Sequence, residues 1–329
     1  MKKPKTAAIV YSDVKRRYFP TEEQYLTEKD AVKDAKVIAK YFVKLGIKPM
    51  LYPANSVLPK KLKKDKPDMV LNLVGSVKGE EYLAASIPGV MELLEIPYTG
   101  TGILGESLSY NKFLVKKLLQ QNGIPVPNYQ LIVNPNQNLD SILRFPLISK
   151  LNEIHGSVEI TNDAVSENEK HLRSRLKYLI KTYKADVLVE EFIVGREITC
   201  MIVESMKKKV YLAERIFNSD NKYVIATFET QWKDKKNKLS HYSKFSDPVL
   251  TEYVKKAFDI TNMEDYGKFD VRLDESGRYY FIDSNSNPYF GPVELQGDIS
   301  MILKMYGINF LEILKRLISN TMQQYNNPT

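Results

Sequence analysis

Between Thr6 and Gly75, short apolar blocks are separated by stretches in which apolar positions return every three or four residues. TAAIVY, IKPMLYP and DMVLNLVG are brief, nearly continuous apolar runs of strand length. EKDAVKDAKVIAKYFVKLG, between the first two, carries the helical period and stops at Gly46, after a polar loop through Tyr25. Strand, helix and strand in this order predict a parallel sheet covered by helices.

The stretch IPYTGTGILGESLSYNKFLVKKLLQQNGIPVPNYQLI predicts a glycine turn, a helix capped at Ser107 or Ser109 and closed at Gly123, and a strand after the two prolines. FPLISK, VEIT, VLVEEFI and EITCMIV read as strands and HLRSRLKYLIKTY as a helix. ILKMYGINFLEILKRLIS reads as the amphipathic helix that closes the fold. A chain of 329 residues exceeds the usual single core. We divide it into three α/β units: residues 1–99, 100–187 and 188–329.

Near the C-terminal end, KFDVRLDESGRYYFIDSNS predicts a β-hairpin turning at DESG. If residues 274 and 277 pair, Lys268 faces Asp283 and Asp270 faces Phe281. Phe269, Val271, Leu273, Tyr280 and Ile282 then share an apolar side, and Lys268, Asp270, Arg272, Asp283 and Asn285 a polar one. Asp270 and Asp283 become diagonal neighbours roughly 7–8 Å apart, within reach of one cation. Two carboxylates and an amide that leave coordination positions open suit a Mg²⁺ that also holds substrate phosphates. The plainer alternative is a surface ladder in which both aspartates flank Lys268.

Composition narrows the field. The chain is 43% hydrophobic and 27% charged, with no apolar run long enough for a membrane helix. MKKPKTAAIVY has too short an apolar stretch for a signal peptide and reads as a first strand. One cysteine, Cys200, permits no internal disulfide and reads as a buried strand thiol. The three histidines have no zinc-like spacing, and the whole suits a reducing cytoplasm. The formal charge of +8 comes from lysine runs such as LPKKLKKDKPD, which read as solvated faces. Neither aromatic interleaving nor a reader motif points to nucleic acid.

IPYTGTG, SYNKFLVKKLLQQNGIPVPNY, FPLISK, VLVEEFIVGREIT, YGKFDVRLDESG and FIDSNSNPYFGP together resemble the ATP-grasp superfamily, within it the D-alanine–D-alanine ligase-like branch. The resemblance implies an ATP-grasp fold of three α/β subdomains with ATP between the central and C-terminal ones. It makes Lys112 and Lys150 the lysines at the ATP phosphates, and Glu190, Glu191, Phe192 and Ile193 the linker whose backbone reads adenine. Glu197 takes the ribose, and Asp270, Asp283 and Asn285 hold two Mg²⁺ ions, with Mn²⁺ as a substitute. Lys268 and Ser157 stand at the reacting phosphoryl group. The implied partners are small amino-acid or amine substrates and a second copy of the chain, docked through the N-terminal part.

Four departures bear on the substrate. The family's glycine-rich turn and amine-binding glutamate have no counterpart in VYSDVKRRYFPTEEQYLTEKD, where Asp13, Glu22, Glu23 and Glu28 are the available acids. Glu159 stands where a phosphate-loop glycine is usual, and its charge repels ATP unless it points away. Lys268 replaces an arginine, losing the bidentate fork, and Asp283 replaces a glutamate. Tyr289 and Glu294 occupy the places of a glycine and a serine that hold the second substrate's carboxylate, which argues against a D-alanine acceptor. Trp232, the only tryptophan, aligns with the family's mobile loop, as a lid residue or as a surface anchor. The sequence therefore reads as an ATP-dependent carboxylate–amine ligase, with a nucleotide-binding pseudoenzyme as the alternative.

Overall fold

The computed structural model describes residues 3–204, 207–234 and 238–326. Its first sheet is parallel, with strands β1 (Thr6–Ser12), β2 (Lys48–Ala54) and β3 (Met69–Leu73) in the order β2-β1-β3. The segment expected as loop before the first long helix forms α1 (Glu22–Glu28), because the Thr21 side chain caps it by accepting from the Gln24 N–H. Helix α2 (Ala31–Lys44) carries Ala35, Ile38, Ala39 and Phe42 at positions i, i+3, i+4 and i+7, so one stripe is buried against the sheet. Full burial of Phe42 alone contributes about 1.5–3 kcal/mol. Helix α3 (Leu58–Asp65) lies inside the lysine run and buries only Leu58 and Leu62. Helix α4 (Ser86–Leu93) follows.

The expected single helix after the glycine turn is two. α5 (Ile103–Ser109) ends before Asn111, whose side chain caps α6 (Lys112–Gln121) by accepting from the Leu114 N–H at 3.0 Å. The second sheet is antiparallel, in the order β4-β7-β5-β6, from β4 (Tyr129–Ile132), β5 (Leu147–Leu151), β6 (Val165–Ser166) and β7 (Val187–Glu191). VEIT is not a strand: a turn over residues 156–159 takes in its first half, and the strand that pairs with β5 on the edge away from β7 is β6, just beyond. Helix α7 (Glu169–Tyr183) covers this sheet with Leu172, Leu176 and Leu179. Strand β7 keeps the chain in the second sheet through Glu191, past the boundary expected near residue 187.

The third sheet runs β10-β9-β8-β11-β12, all antiparallel. Its strands are β8 (Arg196–Val203), β9 (Lys209–Phe217), β10 (Ser240–Phe245), β11 (Tyr266–Leu273) and β12 (Tyr279–Asn285). A short helix α8 (Phe228–Trp232) precedes β10, and α9 (Pro248–Ile260) packs Val254, Ala257 and Phe258 against Cys200, Phe269 and Phe281. The closing helix breaks at Gly307, φ +74°, into α10 (Asp298–Met305) and α11 (Phe310–Asn326). Ile313, Leu314 and Leu317 of α11 share one core with Ile9 and Phe42 of the first sheet unit and Met201 of the third. The C-terminal helices thus fasten the first unit to the third.

Two buried carboxyls reinforce this joint. Glu106 of α5 accepts from the Ser286 hydroxyl at 2.6 Å and from Tyr110, and Asp265 accepts from the Gly100 N–H at 2.8 Å and from Asn320. Burial pushes both up to about 7. The folded chain therefore holds protons on them that the unfolded chain releases near its ordinary carboxyl values, and stability falls as pH rises toward 7. Thermal unfolding followed from about pH 5 to 8 should show a falling Tm, at up to about 1.4 kcal/mol per pH unit for each group. Glu106→Gln should make the slope shallower; an unaltered slope would assign the titration elsewhere.

Candidate active site

The hairpin expected at DESG forms, in a different register. The Asp274 N–H donates to Arg278 O at 3.0 Å, so residues 274 and 278 pair, and the Asp274 carboxylate holds the turn by accepting from the Ser276 and Arg278 N–H groups. Val271 faces Phe281, but Asp270 faces Asp283 and Lys268 faces Asn285, because Ile282 is bulged out of the ladder. The expected pairs Lys268–Asp283 and Asp270–Phe281 are therefore corrected. So are the expected sides of Tyr280 and Ile282: Tyr279 and Phe281 join Phe269 and Val271 in the core, while Ile282 and Asp283 both line the cleft.

Directly opposed carboxylates repel, and a ring of cations offsets this. Lys268 Nζ lies 2.8 Å from Asp270 Oδ2, and Thr199 donates to Asp270 Oδ1 at 3.0 Å. Burial pushes the Asp283 carboxyl up, but Lys112, His155, Lys150 and Lys268 outweigh it and hold the group below the usual carboxylate range. Asp283 Oδ1 is buried without a hydrogen-bond partner. An orphaned carboxylate oxygen across from a second carboxylate, with Asn285 on the same strand, is a donor set that fits Mg²⁺. Among the described residues, no group of three or more His, Cys, Asp or Glu side chains is placed to hold a metal, so other ligands would have to complete the shell.

The two expected phosphate lysines line the same cavity. Lys112 opens α6 and donates to Ile154 O at 2.9 Å, whereas Lys150 reaches the Glu190 carboxylate at 2.6 Å and Ile282 O at 3.1 Å. Lys116, which the sequence reading passed over, pairs with the other oxygen of Glu190 and donates to Phe281 O. Its spacing of one helical turn from Lys112 was the available signal. Glu190 is completely buried, and the two lysines outweigh the cost of burial and hold its carboxyl low. Glu191 turns away, accepting from Asn128 and from the Arg144 N–H. The N–H groups of Glu191 and Phe192 are bonded to Asn128 O and Pro146 O. Glu197 pairs with Arg272 at 2.9 Å, and Arg272 stacks over the Phe192 ring. Phe192, Ile193 and Glu197 line a narrow cavity between the second and third sheets.

The loop covering this cavity has the backbone of a glycine-rich loop. Gly156, Ser157 and Glu159 have φ of +69°, +57° and +63°. Glu159 points away from the cleft: its carboxylate pairs with Arg175 at 3.0 Å and accepts from Tyr178 and Tyr183 at 2.8 Å. The repulsion expected between Glu159 and a phosphate is thereby removed. Trp232 of α8 donates from Nε1 to Gly156 O at 2.7 Å and lines the main cleft. A Cβ at position 156 would meet Thr27 at 2.8 Å, so only glycine fits there.

The main cleft, about 910 Å³, runs from Glu28 past Asp270 and Asp283 to Tyr289 and Glu294. Of the four N-terminal acids, Asp13 pairs with Lys15, Glu22 with Arg16, and Glu23 accepts from the Glu159 N–H. Glu28 alone faces the cleft, with Oε2 buried and unpartnered, and burial pushes it up to about 7 against the opposing effect of Ser12 and Ser76. At the other end the Tyr289 hydroxyl donates to Asp34 at 2.6 Å and the Tyr41 hydroxyl to Glu294 at 2.7 Å. His155, also unforeseen, binds Glu81 at 2.9 Å through Nδ1.

The comparisons with known proteins agree with this architecture. An uncharacterized protein, y4sG of Sinorhizobium fredii, is 27% identical over 67% of this chain, which spans 65% of that protein's length. A D-alanine–D-alanine ligase of Brucella anthropi is 27% identical over 78% of the chain and 81% of its own. The crystal structure of D-alanine–D-alanine ligase from Bacillus anthracis complexed with ATP superposes with a TM-score of 0.74 at 18% identity, covering 98% of both chains, and shows the shared fold. The family model described as "D-ala D-ala ligase C-terminus" matches residues 118–319, well over half of the chain, which therefore belongs to this family of ATP-grasp ligases.

Proposed function

We propose that the protein joins the carboxylate of one amino acid to an amine, forming ADP and phosphate, with an acceptor other than D-alanine. The observation that carries this reading is the opposed Asp270–Asp283 pair, ringed by Lys112, Lys150 and Lys268. That arrangement concentrates positive charge and metal-ligating oxygens where a triphosphate would lie between the second and third sheets.

In this reading Asp270, Asp283 and Asn285 hold Mg²⁺, which neutralises charge on the phosphates when bound. Lys112 and Lys150 bind phosphate oxygens, and the Gly156–Ser157 backbone offers N–H groups. Adenine recognition falls to Ile193 and to the carbonyls of the linker, because the Glu191 and Phe192 N–H groups are occupied. Glu197, anchored by Arg272, meets the ribose. The donor carboxylate attacks the γ-phosphorus as the bond to ADP breaks; the amine then attacks the acyl carbon, phosphate leaves, and the amine's proton passes to solvent. Glu28 binds the donor's ammonium group. Lys268, in contact with Asp270, presents its ammonium group to the transferring phosphoryl group.

Tyr289 and Glu294 shape the acceptor end, where Glu294 and Asp34 disfavour a carboxylate. The acceptor is therefore larger, cationic, or carries its carboxylate away from this turn. Exposed Leu93, Ile103 and Leu104 supply apolar surface that a homodimer through the N-terminal part would cover. A second reading, a nucleotide-binding pseudoenzyme, draws on the Lys268–Asp270 contact, in which a lysine occupies a metal position.

Phosphate release from Mg²⁺–ATP, measured against L- and D-amino acids and polyamines singly and in pairs, separates the two readings. A ligase gives release that requires one pair and is lost at least 100-fold, about 2.7 kcal/mol, in Asp270→Asn. Tight ATP binding with no release for any pair would favour the pseudoenzyme. The titration of Glu28 adds an independent check, since its carboxylate form is filled only as pH rises through about 7. The KM of the donor amino acid should fall across that interval, and Glu28→Gln should raise it and abolish the pH dependence. A pH profile unchanged by Glu28→Gln would place the donor's amine elsewhere.

A further inference from the structure

The lining of the main cleft contains a buried cation that, among the described residues, has no carboxylate in ion-pair contact. Arg215 of β9 is 6% exposed and donates from Nε to the Ser240 hydroxyl at 3.1 Å, from Nη1 to Gln231 Oε1 at 2.9 Å and from Nη2 to Thr230 O at 3.5 Å. All three acceptors are neutral, and among the described residues no carboxylate is in ion-pair contact with this guanidinium. Asp298, Glu197 and Asp270 act on it at longer range, and Gln231 bridges to Asp298, its Nε2 donating to Asp298 Oδ2 at 2.7 Å. A guanidinium is always charged and carries five N–H donors, so two remain. Arg272 and Lys116, the other cations at least as buried among the described residues, each have a carboxylate, whereas Lys112, slightly more exposed and also without one, is directed at the narrow cavity. A buried charge left without a partner is costly, and such groups are normally paired.

A second unsatisfied group stands beside it. Tyr242 of β10 is opposite Arg215 in the ladder, its ring 5.7 Å from the guanidinium carbon, and its hydroxyl oxygen is buried without a hydrogen-bond partner. Both residues line the main cleft, and neither lines the narrow cavity around Phe192 and Glu190. β9 lies three strands from β12, roughly 14 Å across the sheet. Spare N–H donors and an unpartnered hydroxyl that line the main cleft on strands other than β12 make a receptor for a small planar anion.

We propose that Arg215 and Tyr242 bind the carboxylate of the acceptor substrate, so that the acceptor is an amino acid held by its carboxylate on β9 and β10 rather than at the turn after β12. This rests on the ligase reading above and narrows it: diamines and polyamines without a carboxylate are excluded as preferred acceptors. The same donors suit a phosphoryl oxygen of ATP. Their place outside the narrow cavity, with Lys112 and Lys150 already directed at the phosphates, favours the carboxylate.

The test is Mg²⁺–ATP-dependent phosphate release in the full-length protein, with each amino acid of the acceptor panel compared with its α-carboxamide and its decarboxylated amine. The preferred acceptor should exceed both analogues at least tenfold in kcat/KM. Tyr242→Phe and Arg215→Lys should shrink that ratio at least fivefold through acceptor KM, with the KM of ATP unmoved. Tyr242→Phe removes only a hydroxyl, so it remains informative if Arg215→Lys fails to fold. An amine or carboxamide accepted as well as its acid would overturn the proposal while leaving the ligase intact. So would a raised ATP KM in the variants, which would assign the anion to the phosphoryl group. No amine-dependent release with any compound would overturn the ligase reading and this proposal together.

Discussion

Everything at the cleft depends on Glu190. Its carboxylate is inaccessible to water, sits on the central sheet, and binds Lys150 from the neighbouring strand and Lys116 from α6. Those two ammonium groups also donate to the Phe281 and Ile282 carbonyls of β12, which belongs to the third sheet. One buried anion therefore fixes two cations, and the cations fix the strand that carries Asp283. Three charges so placed are costly to bury, and burial pushes Lys116, like the nearby Lys112, toward neutrality. The cost is consistent with a site that is incomplete until a polyanion arrives. A hydrophobic trio of similar volume would pack as well and present nothing to a phosphate.

The same contacts account for the bulge. Ile282 is displaced from the β11–β12 ladder, and its carbonyl, freed from strand pairing, takes the two lysine hydrogen bonds. Displacement by one residue is also what sets Asp283 across from Asp270 rather than on a diagonal. The lysines hold the bulge, the bulge aligns the carboxylates, and Lys268 and Lys112 make the alignment tolerable. These are features of one electrostatic arrangement rather than separate motifs.

Much of this was legible in the chain, for reasons that differ by element. The apolar blocks of β1, β3 and β8 were readable because strands buried on both faces need continuous apolar runs, and β11 from its alternation of apolar and polar positions. The hairpin was readable from its turn residues, but its register was not, because a five-residue turn and a bulge each shift pairing by one and neither leaves a mark on the hydrophobic pattern. The long helical tracts around Ser109 and Gly307 read as single helices because their apolar period runs on across the break, and only the Asn111 cap and the positive φ of Gly307 divide them. Glu159 looked hostile to phosphate since its charge was visible and its direction was not; Arg175, Tyr178 and Tyr183, one to two helical turns apart on α7, turn it outward. Arg215 and Lys116 went unnoticed for the converse reason, that an arginine or lysine looks ordinary until its surroundings are known.

The first unit, though remote from the metal-ligating strands in sequence, supplies both ends of the cleft. Glu28 closes one end from α1, while Asp34 and Tyr41, two turns apart on α2, reach Tyr289 and Glu294 at the other. Glu23 holds the Glu159 N–H, Glu81 holds His155, and Thr27 abuts Gly156, so α1 and the segment before α4 also brace the phosphate loop. In the proposed reading, binding the donor at Glu28 and ordering the loop over the nucleotide are physically linked, because both use α1. Loss of either contact would loosen the other, and the dry cleft that protects an activated carboxylate from water would open at the same joint. In the proposed reading the chemistry resides in the third sheet, whereas the choice of what reacts there resides largely in the first unit.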